Sequence, residues 1–176
     1  MNSLHQVVRH VGISGSWQKG NSQVENDVRN TVRELAQHGD GIVTGGALGV
    51  DSIATDEMLK SNIQPDQLVV VLPTSLATYA AHYRKKAGEG VITSEQAETL
   101  VHQLEEVKQR GTLKELGFEA VNKDSYYARN TAVLDNSNAL AAFQVNHSPG
   151  TQDTIDKAKV RGMDVVHFEY LIADQK

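Results

Sequence analysis

The chain has 176 residues, 39% of them apolar, with no cysteine and a formal net charge of −5. That length supports one domain with a sizeable core, and the missing cysteines exclude disulfides, thiolate metal sites and a cysteine nucleophile, pointing to a reducing, cytoplasmic setting. No segment approaches the roughly 18 unbroken apolar residues of a membrane span, Met1 to His10 lacks a secretory leader's apolar run, and the acidic balance means that polynucleotide binding needs a local basic patch.

In chain order, Val7 to Ile13 is rich in β-branched residues and runs into Gly12-Ile13-Ser14-Gly15-Ser16, which predicts a first strand and a glycine-rich turn. Ser22 and Glu25 have capping-box spacing, and Val24, Val28, Val32 and Leu35 recur at helical intervals as far as Gly39. Gly41 to Thr44 predicts a second strand, Val50 to Leu59 a second helix, and Leu68 to Leu72 a third strand ended by Pro73. Strands this short and this uniformly apolar suit a parallel sheet covered on both faces. Leu76 to Lys86 predicts a helix and Gly90 to Thr93 a short strand. Ser94 then begins a long polar helix reaching about Arg110, with Leu100, Leu104 and Val107 on one narrow stripe. A helix around Ala128 to Leu134, a strand over Ala139 to Val145, a helix over Thr151 to Arg161 and a strand over Val165 to Phe168 complete the series. The expected fold is α/β, a doubly wound and mainly parallel sheet in a Rossmann-like three-layer αβα arrangement. It is expected as one domain over 1–176, with a helical insertion at about 96–118.

Three loops follow strands and precede helices: Gly12 to Ser16, Thr44 to Asp51, and Ser148 to Thr154. In an open parallel sheet such loops line the crevice beyond the strands' carboxyl ends. Small residues let backbone N–H groups approach an anion, and the following helix adds free donors and the positive end of its dipole. The expected guest is a phosphate. Neither glycine loop has the G-x-G-x-x-G spacing of a dinucleotide site, and no G-x-x-x-x-G-K-[ST] loop is present, so tight NAD binding and a Walker-type ATPase are disfavoured. Seven histidines are scattered without i,i+4 pairing, so no metal site is expected. Arg84-Lys85-Lys86 reads as a solvated helix face or a contact to a phosphate backbone. Trp17, the single tryptophan, is placed either to stack on a base or to cover the sheet edge.

Taken in order, Gly15-Ser16, Thr44-Gly45-Gly46-Ala47-Leu48-Gly49-Val50-Asp51, Leu72 with Tyr79, Gly90 to Glu95, Arg129-Asn130 and Gly150-Thr151-Gln152-Asp153-Thr154 resemble the Rossmann core of the DprA/Smf family. That family belongs to the SLOG superfamily, which also holds the Lonely-guy phosphoribohydrolases and the lysine-decarboxylase-like nucleotide-binding proteins. The sequence departs from the DprA pattern in two places: Trp17 and Thr131 stand where the family has arginines that bind single-stranded DNA. It departs from the Lonely-guy pattern at Thr154, where that family carries its catalytic glutamate.

The resemblance implies a domain that binds a nucleotide or similar phosphorylated small molecule, without a resident cofactor. The residues implied are Gly15, Ser16, Trp17, Gly45, Gly46, Gly49, Asp51, Arg129, Asn130, Gly150, Thr151 and Thr154. Two alternatives stand beside this reading: phosphoribohydrolysis of a nucleoside monophosphate, with Arg129 and Asp153 at work, and DprA-like binding of single-stranded DNA. The stripe on the long helix leads to the further expectation of a homodimer.

Overall fold

Val11 and Ile13 sit at the centre of the molecule because the strand that carries them, His10–Gly15 (β1), is hydrogen-bonded on both sides. The computed structural model describes residues 7–173. The first six residues, which include His5 and part of the N-terminal stretch read for a leader, and the last three lie outside that range. After β1 come Ser22–Gln37 (α1), Gly41–Thr44 (β2), Val50–Lys60 (α2), Leu68–Thr74 (β3), Leu76–Gly88 (α3) and Ser94–Gln109 (α4). The chain continues through Leu113–Phe118 (β4), Lys123–Asp135 (α5), Ala139–Val145 (β5), Pro149–Val160 (α6) and Asp164–Tyr170 (β6). The six strands form one sheet in the order β4-β3-β2-β1-β5-β6, and every pairing is parallel.

The period of two along each strand divides the core into two layers. Val11, Ile13, Ile42, Val70, Leu72 and Phe143 meet the apolar stripes of α1, α2, α3 and α4 on one face. Val43 and Val71 meet Val133 of α5 on the other face, where Leu140 and Ala142 meet Ile155 and Ala158 of α6. The fold is therefore the three-layer, Rossmann-like α/β arrangement read from the sequence. The order reverses between β1 and β5, and a crevice opens at the carboxyl ends of the strands at such a switch point.

Four local readings need correction. Asn21, one residue before Ser22, caps α1 and accepts the Val24 N–H at 3.0 Å. Gly90 to Thr93 is a turn; there Thr93 caps α4 in a box with Gln96. The segment 96–118, expected to be helical, ends in the strand β4, an edge strand whose largely exposed residues, interrupted by Lys114, Glu115 and Gly117, give no apolar run to read. Finally, α5 starts at Lys123, capped by Asn122, five residues before the expected Ala128.

The stripe on α4 is buried inside this chain. Leu100, Leu104 and Val107 pack into the core with Ala54, Leu72 and Tyr79, so the stripe is not free to form a seam between two copies. Among the described residues no helix is long and apolar enough to cross a membrane.

Candidate ligand crevice

The end of β1 lies directly on the start of α2. The N–H of Val50 donates to the carbonyl of Ser16 at 3.2 Å, and Gly49 has φ +76, a conformation that side-chain-bearing residues avoid. A Cβ on Gly49 would stand 2.4 Å from the Ser16 carbonyl oxygen and 2.8 Å from Trp17 Cα. Gly49 is thus a packing requirement that seats the Ser16-Trp17 loop. Gly15 plays a similar part, since a Cβ there would come within 2.5 Å of Val50.

Hydroxyls connect this loop to the start of α6. Ser16 Oγ accepts the Val145 N–H at 3.2 Å and donates to Ser148 Oγ at 3.2 Å, which donates to Thr151 Oγ1 at 2.8 Å. Ser148 is the N-cap of α6, yet its hydroxyl bonds no helix amide, and Pro149 follows it. The first-turn amides of a helix have no partner within the helix and lie at the positive end of its dipole. Asn130 Nδ2 steadies this turn from α5 by donating to the Gly150 carbonyl at 3.4 Å.

The floor is a buried ion pair. Arg129 of α5 crosses the end of β2, and its Nη1 donates to Asp51 Oδ2 at 3.1 Å, while the Ala47 N–H donates to the same oxygen at 3.2 Å. Both side chains are about nine-tenths buried. Burial pushes the Asp51 carboxyl above its usual range, opposed by the Arg129 guanidinium and the neighbouring amides. The guanidinium lies against Gly45, where a Cβ would fall 1.1 Å from Nη1. The Tyr126 ring lies 5.5 Å from the Arg129 guanidinium carbon, and Tyr79 and Tyr83 join the cluster, with their hydroxyls 3.5 Å apart.

The resulting crevice has a volume of about 470 Å³. Gly15, Ser16, Trp17, Gly45, Asp51, Arg129, Asn130, Gly150, Thr151 and Thr154 all border it. Gly46 does not: it has φ +66 and packs against Leu72 and Val70 below. Gly49 also lies outside, facing a second groove. Sequence reasoning missed the contribution of α3 and of the first turns of α5, which bring His82, Tyr83, Lys86, Lys123, Tyr126 and Tyr127 to the rim and walls. Lys86 had a signal in the Arg84-Lys85-Lys86 run, from which the structure diverts Arg84 into a pair with Glu98 at 2.8 and 3.0 Å. Lys123 and the two tyrosines had none, because their helix was read as starting later. Burial first, then Lys86 and Lys85, lower the pKa of His82, which leaves its imidazole neutral at pH 7. Asp153, named for acid chemistry, is held by Lys157 at 2.9 Å and Asn130 at 3.3 Å, outside the crevice lining.

Fold and site together define a Rossmann-like α/β domain with a crevice at the switch point of its sheet, bordered by Lys86, Lys123 and Arg129. The family model of DNA recombination-mediator protein A matches residues 2–176, and the chain belongs to that family. Among solved structures, the Helicobacter pylori DNA processing protein A, described for its single-stranded DNA binding mode, is 24% identical with a TM-score of 0.66. That alignment covers 90% of this chain and 64% of the other. DprA of Streptococcus pneumoniae is 19% identical with a TM-score of 0.66, over 95% of this chain and 52% of that one. The chain thus spans between half and two thirds of the length of these two proteins. The molybdenum cofactor carrier protein of Chlamydomonas reinhardtii is 16% identical with a TM-score of 0.57, covering 95% of this chain and 90% of the carrier. At these identities the likeness establishes the fold. No curated protein matches the chain.

Proposed function

We propose that this chain binds single-stranded DNA and acts in DNA processing, with one nucleotide of the strand held in the crevice. One observation carries the reading: Lys86, Lys123 and Arg129 converge there against a single carboxylate, Asp51, in a chain whose net charge is −5. This is the local basic patch that an acidic protein needs to hold a phosphate backbone. Among the described residues no carboxylate pairs with Lys86 or Lys123; their ammonium groups lie over the rings of Trp17 and Tyr127 instead. The phosphate sits at the first turn of α6, where the backbone N–H groups of Gly150 and Thr151 supply donors and the dipole favours an anion. Membership in the DNA recombination-mediator protein A family and the likeness to a single-stranded DNA-binding relative support the same reading. The cytoplasm is the compartment proposed, on the cysteine-free sequence.

Fluorescence anisotropy with labelled oligonucleotides over a salt series tests it. Affinity should fall as salt rises, and neutralising Lys86 and Lys123 to Gln should flatten the log–log slope by about 0.7 for each lysine. A flat salt response in the unaltered protein overturns the proposal.

A second reading, binding of a free nucleotide, has its own support. The volume of about 470 Å³ suits one nucleotide, and Thr131 occupies a position where the family pattern has an arginine for DNA, its hydroxyl turned back to the Tyr127 carbonyl at 3.1 Å. Competition separates the two readings: a mononucleotide that displaces the strand at micromolar concentration favours the small ligand. The phosphoribohydrolase reading has less support, since Asp153 is tied to Lys157 and Asp51 to Arg129.

A further inference from the structure

We infer that Trp17 and Lys86 together form a nucleotide-reading pair, Lys86 for the phosphate and Trp17 for the base, in which the Trp17 ring gives the crevice a preference for purine over pyrimidine nucleotides; this rests on the nucleotide-strand reading above. Trp17 stands where the family pattern has an arginine, and the structure supplies the missing charge from another element. Lys86 of α3 places its ammonium 5.3 Å from the Trp17 ring centroid. The two parts of a nucleotide match the two parts of this pair. An incoming phosphate draws Lys86 off the ring, and the ring face it leaves takes the base. The exchange is favourable because an exposed cation–π contact is weaker than base–aromatic stacking, and the lysine gains an anion in return.

The main chain that carries the ring is fixed before any ligand arrives: it is seated on Gly49, where no side chain fits, and Ser16 beside it is bonded to Ser148 at the head of α6. The stacking ring is therefore next along the chain to Ser16, whose hydroxyl bonds Ser148 beside the proposed phosphate donors of α6, so base and phosphate of the same nucleotide are read together. Tyr126 and Tyr127 are less available. Arg129 covers the first, and Lys123 and Lys157 both lie 5.4 Å from the second, with Lys157 anchored to Asp153. Stacking grows with the overlapping ring area, so the larger purine gains more on Trp17.

The test uses two strands of equal length and charge, alternating dA-dC and alternating dT-dC, so that the phosphate contribution is common to both. The unaltered protein should bind the purine-containing strand about threefold tighter or more, and the fluorescence of Trp17, the single tryptophan, should be quenched on binding. Trp17→Ala should remove the preference. Trp17→Arg should remove it while keeping affinity for both strands and steepening their salt dependence. Lys86→Gln should weaken both strands alike and leave the preference in place. Equal affinity of the unaltered protein for both strands, or binding without a change in Trp17 fluorescence, overturns the inference and leaves DNA binding standing. Failure of both strands to bind overturns the DNA reading and this inference with it.

Discussion

Gly45 shows what the glycines of this crevice do. Two loops rich in small residues suggest open approach for an anion, yet at Gly45 the space is filled by the protein's own guanidinium. Gly45→Ala should expel Arg129 from Asp51 and leave a buried carboxylate without its partner. Breaking one side of a buried pair costs about 3–5 kcal/mol. We expect a loss of about 3 kcal/mol in chemical denaturation, together with loss of ligand binding; an unchanged midpoint would show that Arg129 has another resting place. Gly150 is the opposite case. It lies at the exposed start of α6, and a Cβ there meets nothing within 4 Å. Gly150→Val should therefore keep the fold and abolish ligand binding by filling the approach to the α6 amides. A variant that melts like the parent and still binds removes this turn from the site.

Among the elements, the α1–α2 pair has a pH dependence that can be read from its charges. Glu57 accepts from Arg33 at 2.9 Å and Arg29 at 3.0 Å, and Asp56 accepts from Arg29 at 2.8 Å and Lys60 at 2.7 Å. Burial pushes both carboxyls up, but the bonds to these cations together hold them below their ordinary values of 4.5 and 3.8. A depressed carboxyl contributes stability that is present above its ordinary value and lost as pH falls through the folded one. The thermal midpoint should stay level above about pH 5 and fall below about pH 4.5, following the ordinary carboxyl range. Glu57→Gln should make that acid fall shallower; an identical acid limb in the variant would assign it to other carboxyls.

For the whole molecule, the fate of α4 matters most. A narrow apolar stripe on a polar helix invites a partner, and the stripe finds one within the chain. α4 follows α3 and packs over β3, closing the layer that α1 and α2 begin, with Leu104 fully buried. Leu104→Glu should accordingly unfold the chain rather than split a dimer, since a charge in that layer has no partner and costs several kcal/mol. Circular dichroism melts read this directly: a variant with the parent's midpoint and half the parent's mass in solution would restore the dimer seam.

The sequence by itself determined the alternation of strands and helices and the parallel sheet, and ten of the residues that its family resemblance singled out, on or beside the three strand-to-helix loops and at Arg129-Asn130, border the crevice. These are local properties: a buried parallel strand must be apolar throughout, a cap needs a side-chain acceptor, and a turn needs small residues. It did not disclose β4, because an edge strand pairs on one side only and can be charged. Nor did it disclose Lys123 at the rim, which of Arg84, Lys85 and Lys86 faces the crevice, or the packing roles of Gly46 and Gly49. Those follow from the crossover that brings α5 from β4 over the far face to β5, with α3 on the near side. Contacts between segments far apart in the chain are set by how the layers close on each other, and no spacing along the sequence records that distance.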